Sequence, residues 1–237
     1  MPQLYSWDFV GRSRSAAPGG GSAGILLPFS TSFSGANEDP ISEGGIWRHN
    51  PNNGWQTSRV RVTSGVARPD ALSNQTGHFD DAYSLLDQTK FLGGIPNNVE
   101  VICTLDLGSG TTQEHEILLR AGDSDTTASA YECLYNAADG SAQIVRWDGA
   151  LNSFTDITSS AINIGAGSTG NQIRATIVGS AITLYWRANS GNSWTQIAAA
   201  TDTTFANGSV GISFYATAAG GGSIDACGFT DFTVSVI

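Results

Sequence analysis

Lysine is almost missing from this chain. Lys90 is the single one among 237 residues, and charged side chains of all kinds make up only 14%. Acidic residues outnumber basic ones 21 to 11, for a formal charge of −10. A surface of that sign is repelled by nucleic-acid phosphates and by anionic membrane or polysaccharide surfaces. Neutral glycans and protein partners are the ligand classes left. Cysteine is scarce too. Cys103, Cys133 and Cys227 are odd in number and show no C-x-x-C spacing, which argues against a disulfide framework and against a zinc or redox motif. Each lies among apolar neighbours and is expected as a buried free thiol. No run of about eighteen apolar residues occurs, and no basic stretch followed by an apolar one opens the chain. A Gly-x-Ser-x-Gly elbow and a His-Glu-x-x-His helix are also lacking.

What the chain has in quantity is glycine, 29 of them, with many small polar residues. This is a turn-rich β composition. The clearest pattern runs from Asn171 to Ala216. Ile173, Ala175 and Ile177 alternate with Arg174, Thr176 and Val178. Ile182, Leu184 and Trp186 alternate with Thr183, Tyr185 and Arg187. Period two with β-branched and aromatic residues marks strands. Gly179-Ser180 reads as a tight hairpin turn, and Ser190-Gly191-Asn192 as a looser one. The stretch is expected to give three or four consecutive antiparallel strands in one sheet.

Further strands are expected at Phe29 to Phe33, Ser58 to Val62, Gly65 to Arg68, Asp81 to Leu86 and Val99 to Leu107. Others follow at Glu114 to Ala121, Ala130 to Asn136, Gln143 to Asp148, Phe154 to Ile157, Ile162 to Ile164 and Ile224 to Ile237. About fourteen short strands without a helix indicate a sandwich or barrel, of a length that one all-β domain reaches.

Residues 1–28 differ in character. The apolar-aromatic patch containing Leu4, Tyr5, Trp7 and Phe9 is followed by a small-residue tract with Gly19-Gly20-Gly21. Gly/Ser tracts are flexible linkers. The segment reads either as a loose tail or as an extended arm that docks the patch on another subunit, an assembly or the domain's own sheet edge. The expected division is an arm over 1–28 and a sandwich over 29–237.

Two places look familiar together. Phe33-Ser34-Gly35-Ala36-Asn37-Glu38-Asp39-Pro40-Ile41-Ser42 followed by Gly44-Gly45-Ile46-Trp47 resembles the opening of bacterial and phage concanavalin A-like (laminin G-like) jelly rolls. Gly208-Ser209-Val210-Gly211-Ile212-Ser213-Phe214 with Phe229-Thr230-Asp231-Phe232-Thr233-Val234 resembles their last two strands. The resemblance covers residues 29–237. It implies two stacked antiparallel sheets, one concave, in a group that includes lectins, glycan-binding modules, glycoside hydrolases, lyases and virion surface proteins.

Site expectations follow from the resemblance. Glycoside cleavage needs two carboxyl groups roughly 5 to 9 Å apart, and alternate residues on a strand give the shorter distance. Glu114 and Glu116 have that spacing, but Leu118, Leu119 and Arg120 stand where a third acid is expected. His49, His78 and His115 are scattered and form no lyase group with a tyrosine. A structural calcium, a trait of the group, maps onto Glu38 or Asp39 with Asp231, and Asp123-Ser124-Asp125 is a second oxygen-rich turn. Calcium takes hard oxygen ligands of this kind. Exposed aromatics stack on sugars, and Trp55, Trp147 and Trp194 are the candidates, while Trp47 and Trp186 read as core. The leading expectation is a non-catalytic jelly roll displayed on a phage capsid or tail. In that reading Leu4, Tyr5, Trp7 and Phe9 anchor it, it binds neutral glycan or a second copy of itself, and it lies in the cytoplasm before assembly and on the virion surface after it. A polysaccharide hydrolase or lyase and a free lectin are the alternatives.

Overall fold

The computed structural model of the chain describes residues 24–50, 58–72, 81–108, 114–124, 127–149, 153–217 and 222–237. The expected anchor residues Leu4, Tyr5, Trp7 and Phe9, along with Trp55, His78 and Asp125, lie outside the described residues. Sixteen strands are present among the described residues: β1 Phe29–Thr31, β2 Trp47–Arg48, β3 Val60–Thr63, β4 Val66–Pro69, β5 Ala82–Leu86, β6 Val99–Asp106, β7 Glu114–Asp123 and β8 Ala128–Asn136, then β9 Ser141–Gly149, β10 Phe154–Asp156, β11 Ser160–Ala161, β12 Gln172–Val178, β13 Ala181–Arg187, β14 Thr195–Thr201, β15 Ser209–Tyr215 and β16 Gly228–Val236. One turn of 3-10 helix, Gln88–Lys90, is capped by the Asp87 side chain.

The strands form two antiparallel sheets. One runs β11-β14-β13-β12-β6-β16-β4-β3, with β1 also paired to β16, and has nine strands. The other has seven, in the order β10-β9-β8-β7-β15-β5-β2. The hairpin expected at Gly179-Ser180 joins β12 to β13, with Val178 opposite Ala181 and Gly179 at φ 58°. A glycine at the first loop position is what a two-residue turn of this twist requires. The looser turn at Ser190 to Asn192 lies between β13 and β14. Of the three or four consecutive strands expected in one sheet, three are found, β12, β13 and β14. β15 crosses to the other sheet and pairs with β5 and β7. The strand expected at Ile162 to Ile164 is found just before it, as β11, although the Ile162 N–H still donates to the Ile197 carbonyl at 2.9 Å.

Alternation builds the core. β6 buries Val99, Val101, Cys103 and Leu105 and leaves the residues between them half-buried. β12 and β13 do the same with Ile173, Ala175, Ile177, Ile182 and Leu184. These face Ile117, Leu119, Tyr131, Cys133, Tyr135, Ile144, Ile212 and Phe214 of the seven-stranded sheet in one cluster. Trp47 packs on Phe33 and Phe232 in that cluster, and Trp186 lies against its margin. Burying a large apolar side chain stabilises by about 1.5–3 kcal/mol. The cluster is therefore the main favourable contribution to the fold. Its three cysteines are free and fully buried, and burial pushes their thiols well above the usual range.

The last residues of the expected arm are tied to the sandwich. Ile25 exchanges backbone hydrogen bonds with Lys90 and Leu92 at 2.7 and 2.8 Å, and both Ile25 and Leu27 pack on the core. At the opposite end of β7 the strand bulges between Leu119 and Gly122, and Arg120 takes a φ of 46°. Its guanidinium donates to the carbonyls of Asn97, Phe205 and Gly179, the last at 2.7 Å. Gly208 sits against this bulge, where an added Cβ would lie 2.2 Å from the Arg120 backbone.

Two outcomes are expected. Arg120→Ala strands three loop carbonyls and should lower unfolding free energy by about 2–4 kcal/mol in a denaturant titration. The three thiols should resist a disulfide-exchange reagent in the native protein and all react once it is unfolded.

Candidate functional site

Each sheet has an outer face, and the two are built differently. On the seven-stranded sheet the strand register sets residues in rows. Tyr83, Ser213, Glu116 and Leu134 form one row across β5, β15, β7 and β8. Leu85, Gly211, Leu118, Glu132 and Val145 form the next. This face carries its own apolar cluster of Tyr83, Leu85, Leu118, Ala121, Ala128, Ala130, Val145 and Trp147, all buried. His49 lies over Tyr83 with ring centroids 4.7 Å apart. Arg48 pairs with Asp123, whose carboxylate also accepts from the Tyr83 hydroxyl at 2.9 Å. Asp123, expected in an oxygen-rich turn, thus pins β7 to β2 and β5.

Carboxyl groups collect in the middle of this closed face. Asp81, Glu116 and Glu132 place ligand atoms within 4.8 Å of one another. Glu116 is 0% exposed, Glu132 6% and Asp81 7%. The Trp147 indole donates to Glu132 Oε2 at 2.5 Å. Neither the Glu116 oxygens nor the buried Ser213 hydroxyl beside them forms a hydrogen bond of ordinary geometry, and the hydroxyl's pull on the Glu116 carboxyl opposes the larger effect of burial. Burial, then the charges of Glu132, Asp81 and Glu114, holds Glu116 in its protonated form far above the usual range. Burial and Glu114 raise Glu132 as well, against the opposing effect of Trp147. Glu114 rises to about 7 through burial and Asp139.

Of the expected catalytic pair, Glu114 and Glu116 do share a face. His115 between them points the other way, into the core against Phe214 and Phe229, where it accepts from the Gly228 N–H at 3.2 Å. Asp81 and Glu132 were not among the residues picked out in the sequence. Glu132 sits on a strand with no second acid in alternation, and only strand pairing brings it to Glu116. Each of the expected calcium residues has a protein partner. Glu38 caps the following turn by accepting from the Ser42 and Glu43 N–H groups at 2.6 and 2.7 Å. Asp39 is exposed, 3.9 Å from Arg59, and Asp231 accepts from the Thr104 N–H. The acidic trio found among the described residues is Asp81, Glu116 and Glu132 instead.

The outer face of the nine-stranded sheet is open. Arg174 lies 4.1 Å from the centroid of the Tyr185 ring and 5.0 Å from that of Trp194. Arg187 lies 4.1 Å from the Trp194 centroid. A hydrogen-bonded chain fixes these side chains. Arg187 Nε donates to Gln172 Oε1 at 2.7 Å, Gln172 Nε2 donates to Thr104 Oγ1 at 2.7 Å, and Arg174 pairs with Glu100 at 3.3 Å. Trp194 is half-buried in this cluster. Trp147, by contrast, is 6% exposed and offers no open ring face.

No family model matches the chain, and none of the curated proteins does. Solved structures match across the sandwich. The carbohydrate binding module CBM66 from Bacillus subtilis superposes with a TM-score of 0.52 at 11% identity, over 83% of this chain and 96% of that one. The exoplasmic/lumenal domain of VIP36 in its Ca2+/Man3GlcNAc-bound form gives 0.55 at 8% identity, over 83% and 85%. The Bacteroides ovatus xyloglucan-locus protein GH43B gives 0.51 at 14% identity, over 90% of this chain and 40% of that one. The chain has a concanavalin A-like jelly-roll fold. Its two antiparallel sheets are those the resemblance implied, and the likeness carries fold and not activity.

The raised carboxyls fix a pH trend. A glutamic acid whose native pKa lies above its unfolded value makes the native state bind more protons, so stability falls as pH rises from that unfolded value through the native one. In buffer free of divalent cations the melting temperature should be higher at pH 5 than at pH 8, and Glu116→Gln should flatten the slope. A rise over the same interval in scanning fluorimetry would contradict this.

Proposed function

We propose that this protein is a non-catalytic glycan-binding jelly roll that holds a neutral glycan on the outer face of the nine-stranded sheet, at Trp194 and Tyr185. The observation that carries this reading is the fixed cluster of two aromatic rings, two guanidinium groups and an amide on an open sheet face. Sugar recognition uses an aromatic ring for the apolar C–H face and planar donors for the hydroxyls. Here both kinds of group are held in place before a ligand arrives, which lowers the cost of binding. The net charge of −10 favours neutral over acidic glycans. CBM66 and VIP36, two proteins of this fold, are described by carbohydrate binding or a bound mannose-containing ligand.

Hydrolysis is disfavoured by geometry. The raised carboxyls resemble a general acid in chemistry, but a polysaccharide has no path to Glu116, which exposes none of its surface. Display on a capsid or tail, with Leu4, Tyr5, Trp7 and Phe9 as anchor, belongs to the same proposal and rests on the sequence of residues 1–28 alone.

A neutral-glycan array followed by calorimetry tests the binding reading. Trp194→Ala should weaken the best ligand about tenfold or more, the effect of losing a central aromatic contact. Its melting temperature should stay near that of the wild type. Equal affinity in wild type and variant, or no neutral glycan bound, would overturn the assignment.

A further inference from the structure

We infer that Asp81, Glu116 and Glu132 form a cation site inside the outer layer of the seven-stranded sheet, and that its all-oxygen ligand set suits calcium. The three side chains come from the start of β5, from β7 and from β8, so an ion there would tie three strands together.

The need for an ion follows from what surrounds Glu116. A buried polar group without a hydrogen bond is costly, and a buried charge without a partner is more so. Glu116 has no exposure, and neither of its oxygens has a hydrogen bond of ordinary geometry; the donor beside it is the Ser213 hydroxyl. The charges that act on it come from Glu132, Asp81 and Glu114, all of the same sign. The Arg48 guanidinium, on the adjoining strand β2, is paired with Asp123. The charged groups that act on Glu116 are thus acids, and their repulsion is what a cation would relieve.

The ligand set points to the ion. Calcium takes about six to eight oxygen ligands in flexible geometry, whereas magnesium demands a near-ideal octahedron and gives up its waters reluctantly. The trio's ligand atoms lie within 4.8 Å of one another, close enough to share one ion. Ser213 adds a neutral oxygen. Its hydroxyl is buried beside Glu116, with which it stands in register on the neighbouring strand, and it forms no bond of ordinary geometry. Three carboxylates and a hydroxyl are hard ligands, which suit calcium over softer transition metals. Trp147, through its 2.5 Å bond to Glu132 Oε2, leaves the other oxygen of that carboxylate for the ion.

Trp147 also supplies the readout. Tryptophan excitation sensitises the luminescence of a terbium ion bound close by, and terbium occupies calcium sites. Titrating the chelator-treated full-length protein with terbium should give a saturable signal near one ion per chain. Calcium should displace it, and magnesium should do so far less effectively. Calcium should also raise the melting temperature of the wild type with concentration, as a ligand of the native state does. Glu116→Gln keeps the shape and removes one charge. In chelator it should fold with a melting temperature at or above that of the wild type. It should bind terbium and calcium about tenfold more weakly or worse, a loss of 1.4 kcal/mol or more. The site is refuted if the wild type shows neither saturable luminescence nor a calcium-dependent melting shift, or if Glu116→Gln binds as tightly as the wild type. Retained glycan binding by Glu116→Gln would show that the two sites stand or fall separately.

Discussion

The structure depends on the apolar seam between two antiparallel sheets. Ile173, Ala175 and Ile177 on one side, and Ile117, Leu119, Tyr131 and Cys133 on the other, leave no room for polar groups that lack partners. Every strand must therefore keep its alternation in phase with that seam. A slip of one residue would exchange the inner and outer sets. His115 illustrates the constraint. It is the polar residue that strand phase drives inward on β7, and it is accommodated by a backbone N–H and two phenylalanine rings.

With the inner faces committed, the outer faces are what the fold can vary. The nine-stranded sheet keeps its outer face open and lines it with rings and guanidinium groups held by hydrogen bonds. The seven-stranded sheet closes its outer face with a second apolar cluster and encloses acids within it. Neutral polar groups can be satisfied locally on a sheet, but enclosed carboxylates of one sign cannot satisfy each other. They require protons or a cation, and this gives the closed face a sensitivity to solution conditions that the open face lacks.

Much of the sandwich was legible in the sequence, because strand phase, hairpin turns and core alternation are local. The Gly179-Ser180 turn and the buried face of β6 are examples. The path of β15 was not legible. Its pattern is that of a strand wherever it pairs, and its place between β5 and β7 is settled by contacts distant in sequence. The aromatic candidates separated for a similar reason. Trp147 and Trp194 both lie near strand ends, but one is covered by the second apolar cluster and the other is flanked by arginines on an open face.

The sequence alone determined an all-β chain, the positions of most strands, which residues of each strand share a face, and the sign of the charge that limits its partners. These are properties of neighbours along the backbone. Only the tertiary structure decided that Asp81 and Glu132 meet Glu116. That outcome depends on which strands lie side by side. Strand order is selected by the fit of two whole faces against each other, and no short stretch of residues encodes it.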